Sequence, residues 1–207
     1  MIKSLALFQS IIEDTRNTNA LYNYLENVIK PPYDYSDLLR WQWAQSVSAL
    51  DKLIHDLVRV GMQESFFNSR KPTKKFLSFG LTIDVHSQMI QNPTTASILL
   101  EQQITHKHGF LSFQEPEKIS DALSNIWEEP HKWKKISEKL NLEENFTKIQ
   151  LKNISIRRNQ IVHEGDYSSS LLQRQPISEQ DVTEVIDFIE KIGFSIYELV
   201  LLDSNVS

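Results

Sequence analysis

Apolar residues recur at intervals of three and four along most of this chain, which is the spacing of one face of an α-helix. Strands and tight hairpins are not indicated, because the 207 residues include only five glycines and no Asn-Gly or Gly-Gly turn. The pattern predicts helices over about residues 3–29, 37–61, 82–91, 94–107, 117–127, 131–140, 143–164 and 178–202.

Residues with known preferences for helix ends support several of these boundaries. Pro31-Pro32 stops the first helix, Ser36 or Asp37 caps the second, and Gly61 is expected to end it. Gly165 is placed as the C-terminal cap of the helix over 143–164. Ser178, with Asp181 three residues later, resembles a capping box for the last helix.

The helices are expected to form one domain. Residues 63–80 lack a helical pattern and contain the basic run from Arg70 to Lys75, so we expect a loop there. No repeat or linker divides the chain. The sequence therefore predicts an all-α fold, a single domain over residues 1–207, built as a helical bundle with a helical insertion in its middle.

Composition indicates the cellular compartment in which this domain is expected to work. The chain has no cysteine, so disulfides and thiolate metal sites are excluded, which fits a reducing compartment. The N-terminus lacks a signal-peptide cleavage site, and no stretch approaches 18 apolar residues. We therefore expect a cytoplasmic protein with no membrane association. A net charge of −5 argues against a protein whose main task is coating nucleic acid.

The most informative segment lies at the end of the helix over 143–164, where arginine, asparagine and histidine are close together. It reads Arg157-Arg158-Asn159-Gln160-Ile161-Val162-His163-Glu164-Gly165-Asp166. On a helix, Asn159 and His163 share a face and Arg158 lies beside them. Arginine binds phosphate and histidine transfers protons near neutral pH, so the group suits phosphodiester chemistry.

Other interpretations of the same residues stay open. His163 can simply cap helix carbonyls while the arginines pair with Glu164 and Asp166. Arg157 offers an alternative spacing to His163, and the sequence does not decide which arginine faces a site. His55 lies four residues from Asp51 and could reach the same site, although packing is the commoner role. The remaining histidines form no metal-binding pattern, so no metal and no cofactor are expected.

The wider sequence resembles the RiboL-PSP-HEPN branch of the HEPN-domain ribonucleases. Arg158-Asn159 followed by His163 resembles the Arg-polar-x-x-x-His signature of that superfamily. Two further segments agree with the branch, an early helix with an acidic residue and a central Phe-Gln-x-Pro segment. They are Leu50-Asp51-Lys52-Leu53-Ile54-His55-Asp56-Leu57-Val58 and Phe113-Gln114-Glu115-Pro116-Glu117-Lys118-Ile119.

The resemblance implies a HEPN-type helical bundle that dimerises and cleaves an RNA substrate without metal, leaving a 2′,3′-cyclic phosphate and a 5′-hydroxyl. It implies that Arg158, Asn159 and His163 act on the phosphate, with Asp51 in contact with Arg158 or His163 and Arg157 in support. It also suggests a toxin or defence effector controlled by an antitoxin or regulatory protein. The alternative is a non-catalytic HEPN domain that binds RNA, a nucleotide or a partner protein.

Overall fold

The computed structural model describes residues 1–168 and 173–204, and it confirms an all-α fold with no strand in these ranges. Tyr167 and Arg174 form an isolated antiparallel bridge. The helices are α1 (Ile2–Tyr24), which continues as a π-helical turn (Leu25–Ile29), α2 (Asp37–Phe66), α3 (Lys74–Leu77), α4 (Ile83–Gln91), a 3-10 turn (Pro93–Thr95), α5 (Ala96–His108), α6 (Pro116–Leu123), α7 (Lys132–Leu140), α8 (Glu144–Glu164) and α9 (Glu179–Ser204). Within the described ranges, none of these helices has the length and apolar character needed to cross a membrane.

Helix α2 is the centre of the bundle. It contacts α1, α5, α6, α8 and α9, and its residues Leu50, Leu53, Ile54 and Leu57 are at most 1% exposed. Full burial of such side chains contributes about 1.5–3 kcal/mol each. Helices α4 and α5 form the predicted insertion, which joins the bundle where Leu100 and Ile104 are buried.

Gly61 does not end α2, contrary to the sequence prediction, because the helix continues to Phe66. A Cβ atom at position 61 would lie 2.6 Å from Ile126 Cγ2, closer than any real contact. The glycine therefore allows close packing inside the helix. The expected loop over 63–80 is correspondingly shorter, and it contains the short helix α3, capped by the Thr73 hydroxyl, which accepts a hydrogen bond from Phe76 N.

The segment after α2 is held in place by a buried arginine. Arg70 is 2% exposed, and its guanidinium donates to Glu64 on α2, to the carbonyl of Ile126 and to the carbonyl of Val200 on α9. Those bonds join three parts of the chain at one end of the bundle. The single arginine of the basic run is therefore structural, whereas the sequence alone predicted only a loop there.

Two sequence predictions about helix ends are confirmed beside the candidate site. Gly165 ends α8 with φ +63°, in the left-handed region that glycine tolerates best. Ser178 and Asp181 form a reciprocal capping box, in which Asp181 N donates to the Ser178 hydroxyl and Ser178 N donates to the Asp181 carboxylate. These caps fix where α8 ends and where α9 begins.

A buried carboxylate joins the end of α8 to the start of α2. Asp166 is 0% exposed, and its Oδ2 accepts hydrogen bonds from Arg40 Nε at 2.9 Å and Arg157 Nη2 at 3.2 Å. Arg40 also donates to the carbonyl of Gln175, whose backbone N–H donates in turn to the carbonyl of Asp166. The network fixes the last turn of α8 relative to α2.

We expect Asp166→Ala to destabilise the fold by about 3–5 kcal/mol, because it leaves two guanidinium groups near a buried position without their shared counter-charge. Urea unfolding of the variant beside the wild type measures this. Glu164→Ala is the matched control, since Glu164 is an exposed acid two residues away. Equal unfolding midpoints for the two variants would show that the buried network contributes little to stability.

Candidate functional site

Arg157 is committed to the fold. Its Nη2 donates to Asp166 and to the carbonyl of Pro176, and its guanidinium lies over the ring of Trp43 at 4.9 Å. The Trp43 indole in turn donates to the carbonyl of Ile154 on α8. With these contacts, Arg157 holds α8 against α2 and is not available to a ligand.

Arg158 forms no ion pair with a carboxylate among the described residues. Among the described residues, its guanidinium donates only to the side-chain oxygen of Asn159, at 3.2 Å; its Nε, like that of Arg157, is buried without an acceptor. Each of the other six arginines forms an ion pair with a carboxylate within the part of the chain that the structure describes. A buried N–H without a partner costs about 1–3 kcal/mol. Arg158 is thus the arginine most ready to accept an anionic partner.

Asn159 and His163 lie on the outward face of the last turns of α8. Both side chains are exposed, and His163 makes no hydrogen bond or ion pair with any described residue. At about 100° per residue, the two directions differ by about 40°, whereas Arg158 and His163 diverge by about 140°. A single chain therefore presents a histidine and an amide together, with the arginine pointing to another side.

Asp51 does not contact Arg158 or His163, contrary to the expectation from the resemblance. Its carboxylate accepts the backbone N–H of Phe113, and it lies 3.9 Å from Nε2 of His55. The next residue, Gln114, accepts a hydrogen bond through its carbonyl from the Ser155 hydroxyl on α8. The segment after α5 thus lies between α2 and α8. Asp51 holds this segment at Phe113, and the segment contacts α8 at Ser155, three residues before Arg158.

His55 and His108 belong to a ring cluster around Phe113. The His55 ring is 4.3 Å from that of Phe113, and its Nε2 can donate to the carbonyl of Leu111 at 3.2 Å. The His108 ring is 5.9 Å from that of Phe113, and burial lowers the pKa of His108. A lowered pKa favours the neutral ring, which packs well against phenylalanine. The cluster explains both histidines as packing groups.

Metal ligands are not grouped near these residues. No three of the histidine, aspartate and glutamate side chains in residues 1–168 and 173–204 are arranged to hold a metal ion.

Arg40 is the residue that sequence reasoning missed. It lies in the first turn of α2, where the helix dipole disfavours a cation, and it is nevertheless 5% exposed. A buried cation at the wrong end of a helix requires a nearby acid, and that acid is Asp166, 126 residues away in sequence. The signal was the unfavourable position of Arg40, but nothing in the sequence identifies its partner.

A stripe of exposed apolar residues follows the outward face of α8. Phe146, Ile149 and Ile156 are 46–59% exposed, and Ile149, Ile156 and His163 are spaced by seven residues. Positions seven apart on a helix differ in direction by only about 20°. The stripe thus leads along one face to the exposed histidine.

Comparison with known proteins identifies one family whose model matches most of this chain. The family model described as RiboL-PSP-HEPN matches residues 9–201, which include all nine described helices at least in part. A search of curated proteins and a search of solved structures each found no match. Since the match extends over most of the chain, this protein belongs to the RiboL-PSP-HEPN family.

Proposed function

We propose that this protein is a metal-independent endoribonuclease of the HEPN type that acts as a homodimer. The observation that carries the proposal is the state of Arg158, the arginine without a carboxylate partner among the described residues. It lies five residues from His163, which makes no hydrogen bond or ion pair with any described residue. An unpaired guanidinium and a free imidazole suit a phosphodiester better than they suit a purely structural surface.

The chemistry follows from the residue types. The ribose 2′-OH attacks the adjacent phosphorus, the bond to the 5′-oxygen breaks, and a 2′,3′-cyclic phosphate and a 5′-hydroxyl result. One group must take the 2′-OH proton and one must protonate the leaving oxygen, roles that histidine can fill. His163 acts as base or acid, Arg158 stabilises charge on the phosphorane, and Asn159 orients the phosphate.

A second chain would complete this site. Two proton-transfer roles need two groups, yet one chain offers one exposed histidine beside the free arginine, and the two side chains diverge. The exposed stripe of Phe146, Ile149 and Ile156 is the kind of surface that partners cover. In a two-fold dimer through this stripe, each His163 would approach the other chain's motif.

The first test is cleavage of single-stranded RNA in excess EDTA. We expect wild-type activity with cyclic-phosphate and 5′-hydroxyl ends. Arg158→Ala should reduce the rate hundreds-fold, because one electrostatic contributor is worth about 3–4 kcal/mol. His163→Ala should reduce it by about 10²–10⁴-fold, the usual value of proton transfer.

The controls for that assay distinguish the role of Arg157 from that of Arg158 and test the alternative functions. Asn159→Ala tests the orienting role, and Arg157→Ala should lower stability more than Arg158→Ala does, since Arg157 is bonded to Asp166. A magnesium requirement or 5′-phosphate ends would rule out the proposed mechanism. RNA binding without cleavage would instead identify a non-catalytic HEPN module, and neither binding nor cleavage would point to a nucleotide or protein ligand.

The second test concerns the dimer. Replacing Ile149 and Ile156 together by Glu places like charges across a two-fold interface, so we expect monomers in light scattering and loss of RNA cleavage. Both side chains are exposed, so the fold should persist. Ile83→Glu with Ile90→Glu is the matched control, because these two isoleucines on α4 are 86% and 65% exposed. A double variant that remains dimeric would place the interface elsewhere.

We propose further that the enzyme acts as a toxin or defence effector in the cytoplasm and is restrained by an antitoxin or regulatory protein. If so, expression of the wild type alone should arrest growth of a bacterial host, whereas the His163→Ala protein at equal abundance should not. Viable-cell counts after induction measure the difference. Equal toxicity of the two proteins would separate the growth effect from the proposed site.

A further inference from the structure

The middle of α8 carries cations and no carboxylates. From Asn145 to His163 the helix has four cationic residues other than histidine, Lys148, Lys152, Arg157 and Arg158, and no aspartate or glutamate. Arg157 is neutralised by Asp166. Lys148 and Lys152 have no hydrogen bond or ion pair within the ranges that the structure describes, and neither is buried. The middle of this helix therefore has a local positive charge, bounded by Glu144 and Glu164 at its ends, in a chain of net charge −5.

The two lysines are aligned with the candidate site. At about 100° per residue, Lys148 and Lys152 differ in direction by about 40°, and Asn159 points between them. His163 lies about 20° beyond Lys152 on the side of the apolar stripe. The lysines thus form a row that leads to Asn159 and His163 and flanks the stripe that we assign to the dimer.

The row ends at Lys148. There it borders a cleft of about 570 Å³ that contains three more lysines, Lys74, Lys75 and Lys132. The same cleft contains four acids, which offset its four lysines. They are Glu117, Asp121, Glu128 and Glu129. The cleft as a whole is therefore neutral, but Lys148 forms no ion pair with these acids within the described ranges, whereas Lys75 is paired with Asp121.

We propose that Lys148 and Lys152 form a backbone-binding track for single-stranded RNA that leads into the site at Arg158, Asn159 and His163. The inference rests on the proposed function and specifies how its substrate is held. From Lys148 to His163 the helix advances about 22 Å at 1.5 Å per residue. A stacked strand advances about 3.4 Å per phosphate, so the track spans at most about six nucleotides. Lysines bind phosphates without reading bases, so the track confers affinity independently of sequence.

The test is RNA binding as a function of salt, measured in a catalytically silent background. Fluorescence anisotropy with a 12-nucleotide RNA compares His163→Ala with His163→Ala carrying Lys148→Ala and Lys152→Ala. Each phosphate contact with a single strand contributes about 0.7 to the slope of log K against log salt. Removing both lysines should reduce the slope by about 1.4 and weaken binding about 25-fold at 0.1 M salt.

The matched control is Lys3→Ala with Lys191→Ala in the same background. These lysines lie on α1 and α9, are exposed, and have no ion-pair partner among the described residues. Removing them changes the net charge equally, so they report any effect of overall charge. We expect the control to bind within about twofold of the parent. A similar loss in both double variants would overturn the track.

Cleavage kinetics distinguish failure of the track from failure of the proposed function. In the protein with His163 intact, loss of both lysines should raise KM for the 12-nucleotide RNA and leave cleavage of a dinucleotide unchanged. If the wild type cleaves RNA but the salt slope and KM do not respond, the track is wrong and the nuclease stands. If binding responds as expected but no RNA is cleaved, the track stands and catalysis is wrong. Absence of RNA binding at low salt would overturn the track itself.

Discussion

The position of α8 depends on one buried carboxylate. Asp166 is inaccessible to solvent, and it receives bonds from Arg40 on α2 and Arg157 on α8 just beyond the left-handed turn at Gly165. A buried ion pair adds little net stability compared with apolar packing, but an unpaired buried charge is costly. The fold is therefore stable only in arrangements that bring the two guanidinium groups into contact with the Asp166 carboxylate. This requirement sets the register of the last turns of α8 on α2.

The register explains why two adjacent arginines behave differently. Residues next to each other on a helix point about 100° apart, so when Arg157 reaches Asp166, Arg158 cannot. The same rotation exposes Asn159 and His163 and places Ile149 and Ile156 in solvent. A single interaction thus leaves Arg158, the candidate phosphate-binding residue, without a counter-charge. It also orients the surface that we propose for dimerisation.

Helical periodicity was sufficient to predict most of the fold. It located the helices because each buries one face. The caps at Gly165 and Ser178 could be predicted from residue type and spacing. Gly61 was misinterpreted because a glycine that ends a helix and a glycine that admits a neighbouring side chain look identical in sequence. The difference lies in Ile126, which is 65 residues away and whose approach is a property of the tertiary packing.

The candidate site was predictable in part for a similar reason. The local motif on α8 follows from helix geometry and from the family resemblance, so Arg158, Asn159 and His163 could be named. The partners of Asp51 and Arg40 could not, because both are long-range: Asp51 binds the backbone of Phe113, and Arg40 binds Asp166. A charged residue at such a helix position indicates that a hydrogen-bonding or oppositely charged partner is needed. Its sequence neighbours do not reveal which segment the fold brings to it.

The net negative charge of the chain does not conflict with an RNA site on α8. At physiological ionic strength the Debye length is about 8 Å, so exposed acids on the far side of the bundle are largely screened from α8. A phosphate approaching the helix responds mainly to charges within that distance. Arg158, Lys148 and Lys152 have no acid partner among the described residues, whereas the other arginines are already neutralised by carboxylates. The remaining positive charge on the helix therefore comes from Lys148 and Lys152, which are aligned with His163, and from Arg158, which points about 140° away from it.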